Sequence, residues 1–268
     1  VADRGVLVFA FNSHTVDYVS IADQTSALIS KNLALPITLV TDQHGVPTFS
    51  YDQVIRVSDV DGSNFRTDLS GHTVEWKNFG RYLAYDLSPY QETILLDTDY
   101  LVLSDSLLKY FDTDFDYKLM HNNSTVSGPS YQLMGETSLE FVWATVILFR
   151  KTLKSQLLFE LVGKIQRNYN YYRALYNVRE GNFRNDYAFA MASNMLSGYC
   201  RDHGVSIPGS MFTIDAKVHD ITRTGDLFKI QLDKANTIIT PNIDIHVMDK
   251  EYLSSANFQR LVGELCAA

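Results

Sequence analysis

Residues 93–104 read TILLDTDYLVLS. An apolar run, Ile94-Leu95-Leu96, stops on Asp97-Thr98-Asp99, and a second, Leu101-Val102-Leu103, follows at once. The first run is short and apolar, and the turn signal Ser88-Pro89 precedes it, so it predicts a buried strand. Two carboxylates one residue apart at the end of such a strand repel each other, and burial sharpens the repulsion. A cation is expected between them. Hard oxygen ligands suit Mg2+ or Mn2+, and a strand end holding a divalent ion is a natural grip for a diphosphate. A second pair of the same form, Asp112-Thr113-Asp114, lies in YFDTDFDYK with no strand leading into it. It reads as a polar connection between Leu107-Leu108 and residues 117–120.

Upstream, residues 5–11 (GVLVFAF) predict a first buried strand, and residues 16–33 a helix, with Val19, Ala22, Ala27, Leu28 and Leu33 at roughly helical spacing. Pro36 stops the helix. Residues 37–40 are a second strand ending in Thr41-Asp42, and residues 53–57 a third. Alternating strand, helix and strand imply a parallel, doubly wound sheet with right-handed crossovers. Ligands of such sheets bind at the carboxyl ends of strands, where Asn12, Asp42 and Asp97 all sit. Residues 59–73 are polar, with Gly62 and Gly71, and predict a loop. Residues 74–87 predict a helix with Trp76, Phe79, Tyr82 and Leu83 on one side. Downstream come a buried strand over 141–149 (FVWATVILF), a mostly helical stretch over 152–177 and a helix over 185–196 opened by Asp186. A late strand within 238–248, followed by His246, precedes a terminal helix near 256–265. No repeat or linker interrupts the chain, which reads as one domain over residues 1–268.

The 268 residues are 46% hydrophobic and 12% aromatic, enough for one large core. No stretch approaches the roughly 20 apolar residues that cross a bilayer, and VADRGVLVFAFN is too quickly interrupted by Asn12, Ser13 and His14 to read as a signal peptide. Two distant cysteines, Cys200 and Cys266, suggest neither a disulfide scaffold nor a zinc site. A cytoplasmic protein with no membrane partner is the expectation. The net charge of −8 excludes a chain that is basic throughout. Residues 150–184, however, hold eight Lys or Arg against two acids, a net +6 that leaves −14 for the rest. Tyr169, Tyr171, Tyr172 and Tyr176 interleave with these cations. Such a stretch can hold a polyanion, but it also fits a solvated helical face with its aromatics packed inward, and the latter is the expectation.

The order strand, helix, strand, Trp-Lys helix, ILLDTDYLVLSD resembles the nucleotide-sugar-dependent glycosyltransferases of the GT-A fold, and among them the glycogenin/galactosyltransferase-like group. The resemblance covers most of residues 5–250. It implies an α/β fold with a Rossmann-like mixed, mostly parallel sheet flanked by helices. It also implies transfer of a sugar from a nucleotide-diphosphate sugar, a UDP-sugar above all, to an acceptor hydroxyl with retention of configuration. Asp97, Asp99 and His246 (in IDIHVMDK) resemble the ligands of Mn2+ or Mg2+, and Thr98 then lies beside the donor ribose. Lys250 would reach the diphosphate. Phe11 and Asn12 end the first strand where that group holds the nucleobase and ribose, Asp42 ends the second, and Tyr18 matches an aromatic that stacks on uracil. Lys77 and Arg81 resemble cations along the donor phosphates and sugar. Asn185-Asp186 resembles the acidic pair that meets the transferred sugar, with Asp186 the catalytic carboxylate. The chain departs from the group at three places: Trp143-Ala144-Thr145 stands where Asn-Ala-Gly is usual, Tyr187 where Gln is usual, and His246 lies closer to Lys250 than the group's usual spacing.

The chemistry follows from charge. Breaking the bond between sugar and diphosphate builds negative charge on the leaving group, which a divalent ion and Lys or Arg stabilise. Small sugar transferases that large phages use to decorate hydroxymethylated DNA bases share the compact form of this chain. DNA is therefore one acceptor to test, and the host cytoplasm would then be its compartment. Two rivals stand beside the transferase: a sugar nucleotidyltransferase, whose usual Gly-rich loop and basic residues FAFNSHTVDY lacks, and a nucleotide-sugar-binding module without turnover.

Overall fold

The computed structural model describes residues 3–58, 64–67, 71, 73–126, 128–130, 139–179, 181–200, 202–232, 236–241 and 243–267. β1 (Arg4–Phe9), α1 (Tyr18–Leu33) and β2 (Ile37–Thr41) form a first strand–helix–strand unit. β1 is buried beyond Arg4 and β2 throughout, as strands covered on both faces must be. Asp17 caps α1 by accepting the Ser20 N–H at 3.0 Å. Ala34, left-handed at φ 51°, and then Pro36 end the helix. β3 (Gln53–Arg56) adds to β2 in parallel.

The next segment departs from expectation. Within the polar stretch that predicts a loop, β4 (Asn64–Thr67) pairs antiparallel with β5 (Thr73–Trp76). Residues 59–63, 68–70 and 72, which include Gly62, lie outside the described residues. The helix expected over 74–87 is therefore shorter: a 3-10 turn over Asn78–Leu83 runs into a single α-turn, α2 (Ala84–Leu87). β-branched and aromatic residues at its start favour an extended strand when a partner is at hand. Ser88, before Pro89, is extended at ψ 127° and stops α2.

β6 (Glu92–Leu96) and β7 (Tyr100–Leu101) flank the acid pair. A 3-10 turn over Ser106–Asp112 separates β7 from β8 (Tyr117–Met120), so Asp112-Thr113-Asp114 is a connection, as its surroundings predict. β9 (Asn123–Thr125), β10 (Gly128–Ser130) and β11 (Trp143–Arg150) follow. The long helical stretch breaks at Asn168 into α3 (Leu153–Arg167) and α4 (Tyr169–Leu175), and α5 (Asn185–Leu196) begins where expected. The remaining elements are β12 (Met211–Ile214), β13 (Asp220–Thr224), β14 (Leu227–Gln231), β15 (Thr237–Pro241), β16 (Ile245–Val247), α6 (Lys250–Leu253) and α7 (Ala256–Ala267). Two strands, not one, occupy the late apolar stretch, and His246 lies inside the second.

The main sheet runs β3-β2-β1-β6-β11-β8. β3, β2, β1 and β6 are mutually parallel, and β11 is antiparallel to both its neighbours. Alternate residues of β1 serve two cores. Val6 and Val8 pack with Val19, Ala22 and Ile29 of α1. Leu7 and Phe9 pack with Leu158, Phe159 and Phe189 of α3 and α5. A second sheet, β10-β9-β12-β16-β7, has its own core under α1, α6 and α7. β6 belongs to the first sheet and β7 to the second, so Asp97-Thr98-Asp99 spans the seam between them. Among the described residues no helix is long and apolar enough to cross a membrane.

Candidate functional site

Three adjacent strands, β2, β1 and β6, end at the same edge of the main sheet and bring Asp42, Asn12 and Asp97 there. Their side chains do different things. Asn12 Oδ1 accepts the Val19 N–H at 2.9 Å and so helps to start α1. Asp42 is buried, and its Oδ1 closes a turn by accepting from the His44 and Gly45 N–H groups at 2.9 and 3.0 Å. Phe11 is buried in the α3/α5 core, 6.3 Å from the Phe9 ring. Tyr18 is half-buried at the start of α1, and Lys77 is half-buried between β5 and the 3-10 turn.

Positive charge gathers at the seam. Arg81 is only 1% exposed, and its Nη1 donates to Asp97 Oδ1 at 2.5 Å. Its Nη2 donates to the Ala144 carbonyl at 2.5 Å. His246 Nε2 stands 3.3 Å from Asp99 Oδ2, and Lys250 Nζ donates to the same oxygen. Lys250 also donates to the Met248 carbonyl at 3.3 Å. Thr98 is buried between the two acids. Burial pushes the Asp97 carboxyl up, Arg81 pulls it back, and the like charges of Asp99 and Asp186 add to the rise. Burial would also raise Asp99, but nearby positive charge, Lys250 first, outweighs it and holds that carboxyl well below the usual carboxylate range.

A bulge in β11 supplies the other half of the site. The β8–β11 register slips between Trp143 and Ile147, which releases the Ala144 backbone from the ladder. Its carbonyl takes Arg81, and its N–H donates to Asp186 Oδ1 at 3.0 Å. Arg184 donates to Asp186 Oδ2 at 2.6 Å, and its guanidinium lies over the Phe141 and Tyr187 rings. Asn185, buried, opens α5 beside it. Asp97, Asp99, Arg81, His246, Lys250 and Asp186 are thus one electrostatic group. Phe11, Asn12 and Asp42 belong to the strand ends and make the contacts described above, while Tyr18 and Lys77 sit where the following helical turns begin.

The donor set fits a hard divalent ion: two carboxylates and an imidazole. Two ligands of an octahedral ion with bonds of about 2.1 Å stand about 3 Å apart, and Asp99 Oδ2 and His246 Nε2 face each other at 3.3 Å. Among the described residues no three such side chains stand close enough together to hold an ion as they are; Asp97 is paired with Arg81.

Three further groups escape the sequence reading. Asp244, just before β16, accepts the Leu103 and Ser104 N–H groups at 2.8 and 2.9 Å and the Ser104 hydroxyl at 3.0 Å. It straps the segment after the acid pair to the strand that carries His246. Burial pushes its pKa up, against the pull of those hydrogen bonds. Thr213 and Asn123 stand behind His246. No local pattern marks any of the three, since each meets its partner across more than 30 residues.

At least three of the eight cations of the basic stretch are engaged within the fold. Arg150 pairs with Glu92 at 2.9 Å, Lys151 donates to the Tyr85 carbonyl, and Arg184 holds Asp186. Tyr169 and Tyr176 are buried in the core. Glu180 of that stretch lies outside the described residues.

No family profile matches the chain, and no curated protein matches it in sequence. Solved structures do. The crystal structure of an active-site mutant of LgtC aligns with a TM-score of 0.50 at 14% identity, over 98% of this chain and 95% of that one. The glycosyltransferase GlyE of Streptococcus pneumoniae TIGR4 aligns at 0.41 and 16% identity, over 78% of this chain and 45% of GlyE. The chain thus spans less than half the length of GlyE. Mouse xyloside xylosyltransferase 1 aligns at 0.43 and 12% identity, over 77% of this chain and 85% of that one. The likeness to LgtC, which runs the length of both chains, shows that this chain has the GT-A fold.

Proposed function

We propose that this protein is a metal-dependent glycosyltransferase that moves a sugar from a nucleotide-diphosphate sugar to an acceptor hydroxyl. The observation that carries the reading is the seam between the two sheets. Two aspartates, a histidine, a lysine and a buried arginine meet there at the carboxyl end of β6, with Asp186 one backbone unit away. Asp97, Asp99 and His246 would hold Mn2+ or Mg2+, which when bound supplies Lewis-acid stabilisation of the departing diphosphate. Lys250 and Arg81 add fixed positive charge on the same side. Asn12, Tyr18, Phe11 and Asp42 border the nucleotide end and Lys77 the phosphates; UDP is the nucleotide proposed. Asp186 is clamped through both oxygens. That arrangement favours electrostatic stabilisation of an oxocarbenium-like sugar by a fixed carboxylate, and we assign the reaction retention of configuration. The described chain acts as one catalytic unit.

The acceptor has weaker support. A hydroxymethylated base in DNA would need a basic surface; Arg150, Lys151 and Arg184 are engaged within the protein, so it would fall to the exposed Lys164, Arg167 and Arg179 to supply it. Binding of such DNA should fall steeply with salt if it is the acceptor; a flat response assigns the hydroxyl to a glycan or small molecule. The donor reading is tested by thermal shift against UDP-, GDP- and other sugar nucleotides with Mn2+, since a ligand of the folded state raises the midpoint. Asp97→Ala and Asp99→Ala should abolish metal-dependent donor cleavage while the fold survives. Full activity in EDTA, or no shift with any donor, removes the proposal.

A further inference from the structure

His246 faces Asp99 with one ring nitrogen and turns the other inward, to Thr213 and Asn123. The three side chains form a row across the second sheet. Thr213 on β12 is the register partner of His246 on β16. Asn123 on β9 pairs with Met211, two residues before Thr213 and so on the same face of β12. All three are buried. His246 Nδ1 lies 3.2 Å from Thr213 Oγ1, which lies 2.8 Å from Asn123 Oδ1.

A hydroxyl has one proton. Thr213 donates it to Asn123 Oδ1, a carbonyl oxygen that can only accept. Thr213 Oγ1 then has only lone pairs to offer the imidazole, so Nδ1 must carry the hydrogen. A neutral ring protonated there is unprotonated at Nε2. The Nε2 lone pair therefore points at Asp99 Oδ2 across 3.3 Å. Lys250 already sets positive charge against that oxygen, and an unprotonated Nε2 beside it can share a cation with the carboxylate, as two ligands of one ion do.

We propose that Thr213 and Asn123 are positioning residues that hold His246 as the Nδ1–H tautomer, so that Nε2 is offered as the ligand nitrogen to a divalent ion. This rests on the metal reading above. Reversing the Asn123 amide would reverse the whole chain. Nδ2 would donate to Thr213, Thr213 would donate to Nδ1, and Nε2 would carry a proton toward Asp99 and could not ligate. Asn123→Asp, as the carboxylate, has no proton to give and can only accept, so it separates the two directions.

The test uses Mn2+ alone, with free ion counted by electron paramagnetic resonance, and 15N spectra of the His246 ring in the metal-free protein. Thr213→Val and Asn123→Leu should each weaken Mn2+ binding about 10- to 100-fold, the usual cost of losing such a partner. Thr213→Ser and Asn123→Asp should stay within about threefold of the parent. The ring should show Nδ1–H in the parent and lose that preference in Thr213→Val. Mn2+ binding by Thr213→Val equal to the parent, while His246→Ala loses it, overturns the relay and leaves the metal site standing. Asn123→Asp as weak as Asn123→Leu overturns the direction. If the parent itself binds no Mn2+, the metal reading fails. The spectrum then decides the relay alone: Nδ1–H supports it and Nε2–H overturns it. Should Thr213→Val fail to fold, Thr213→Ser, Asn123→Asp and the spectrum still decide between the two directions.

Discussion

Replacing Asp97 by asparagine keeps the side-chain shape but deletes the charge opposite Arg81, whose guanidinium is almost fully enclosed. Removing one partner of a buried ion pair costs about 3–5 kcal/mol, because the other charge stays behind uncompensated. Two features reduce that figure here. The Asp97 side chain is 28% exposed, so water screens part of the attraction. Asp99 and Asp186 also repel Asp97, and asparagine relieves that repulsion. A loss of about 2–3 kcal/mol remains. For a domain of this size each kcal/mol moves the midpoint by roughly 2–3 °C, so calorimetry should show a drop of about 4–9 °C. A double-mutant cycle sharpens the test. Arg81→Met keeps the aliphatic bulk and removes the stranded cation, so Asp97→Asn combined with Arg81→Met should be more stable than the sum of the single losses by about 2 kcal/mol. Additivity within about 0.5 kcal/mol would refute the claim that Arg81 is the charge that lets Asp97 sit at the strand end.

Asp244→Ala should cost about 2–3 kcal/mol in urea unfolding, since one buried and two half-buried donors within 3.0 Å lose their acceptor; a loss under about 1 kcal/mol would mean that water takes over the strap. The pH dependence has a definite sign at Asp99. Its folded pKa is depressed against burial, by Lys250 above all. The unfolded chain therefore takes up the proton first, and the contribution is fully present above about 3.8 and is lost as pH falls below it toward the folded value. Asp99→Asn should flatten the acid limb of a stability-versus-pH curve. A limb parallel to that of the parent would show that the carboxylate is not stabilised in the fold.

The elements legible in the chain alone are those whose burial is written in consecutive residues. GVLVFAF, ILL and FVWATVILF are apolar on both faces and have no use outside a covered sheet. The first helix and α5 are legible because a proline or an acid marks an end. The β4–β5 hairpin is not, because its partners are four-residue strands in a polar stretch, and helical spacing of Phe79, Tyr82 and Leu83 draws the helix too far back over Thr73–Trp76. β15 and β16 merge into one expected strand because nothing between Pro241 and Ile245 tells which sheet each will join. The aspartate pair stands out as a like-charge conflict within three residues. Its resolution does not, since Arg81 lies 16 residues before Asp97 and Lys250 151 residues after Asp99.

That division has a physical cause. A carboxylate pair at a buried strand end is locally unfavourable, and local rules register it as a fault in an otherwise consistent stretch. The fold accommodates it by bringing partners for the two carboxylates from three directions. The turn after β5 delivers Arg81, strand β16 delivers His246, and the start of α6 delivers Lys250. Among the described residues Arg81 leaves its Nε buried with no hydrogen-bond partner. Stability alone would be served as well by apolar residues at the seam. The proposed function gives a reason for two sheets that meet around opposed charges, with a bulge in β11 that turns Ala144 to both Arg81 and Asp186: a ligand that carries charge of its own. An activated sugar's diphosphate with its ion is such a ligand, and it would exchange with these internal pairs without leaving any of them unpaired.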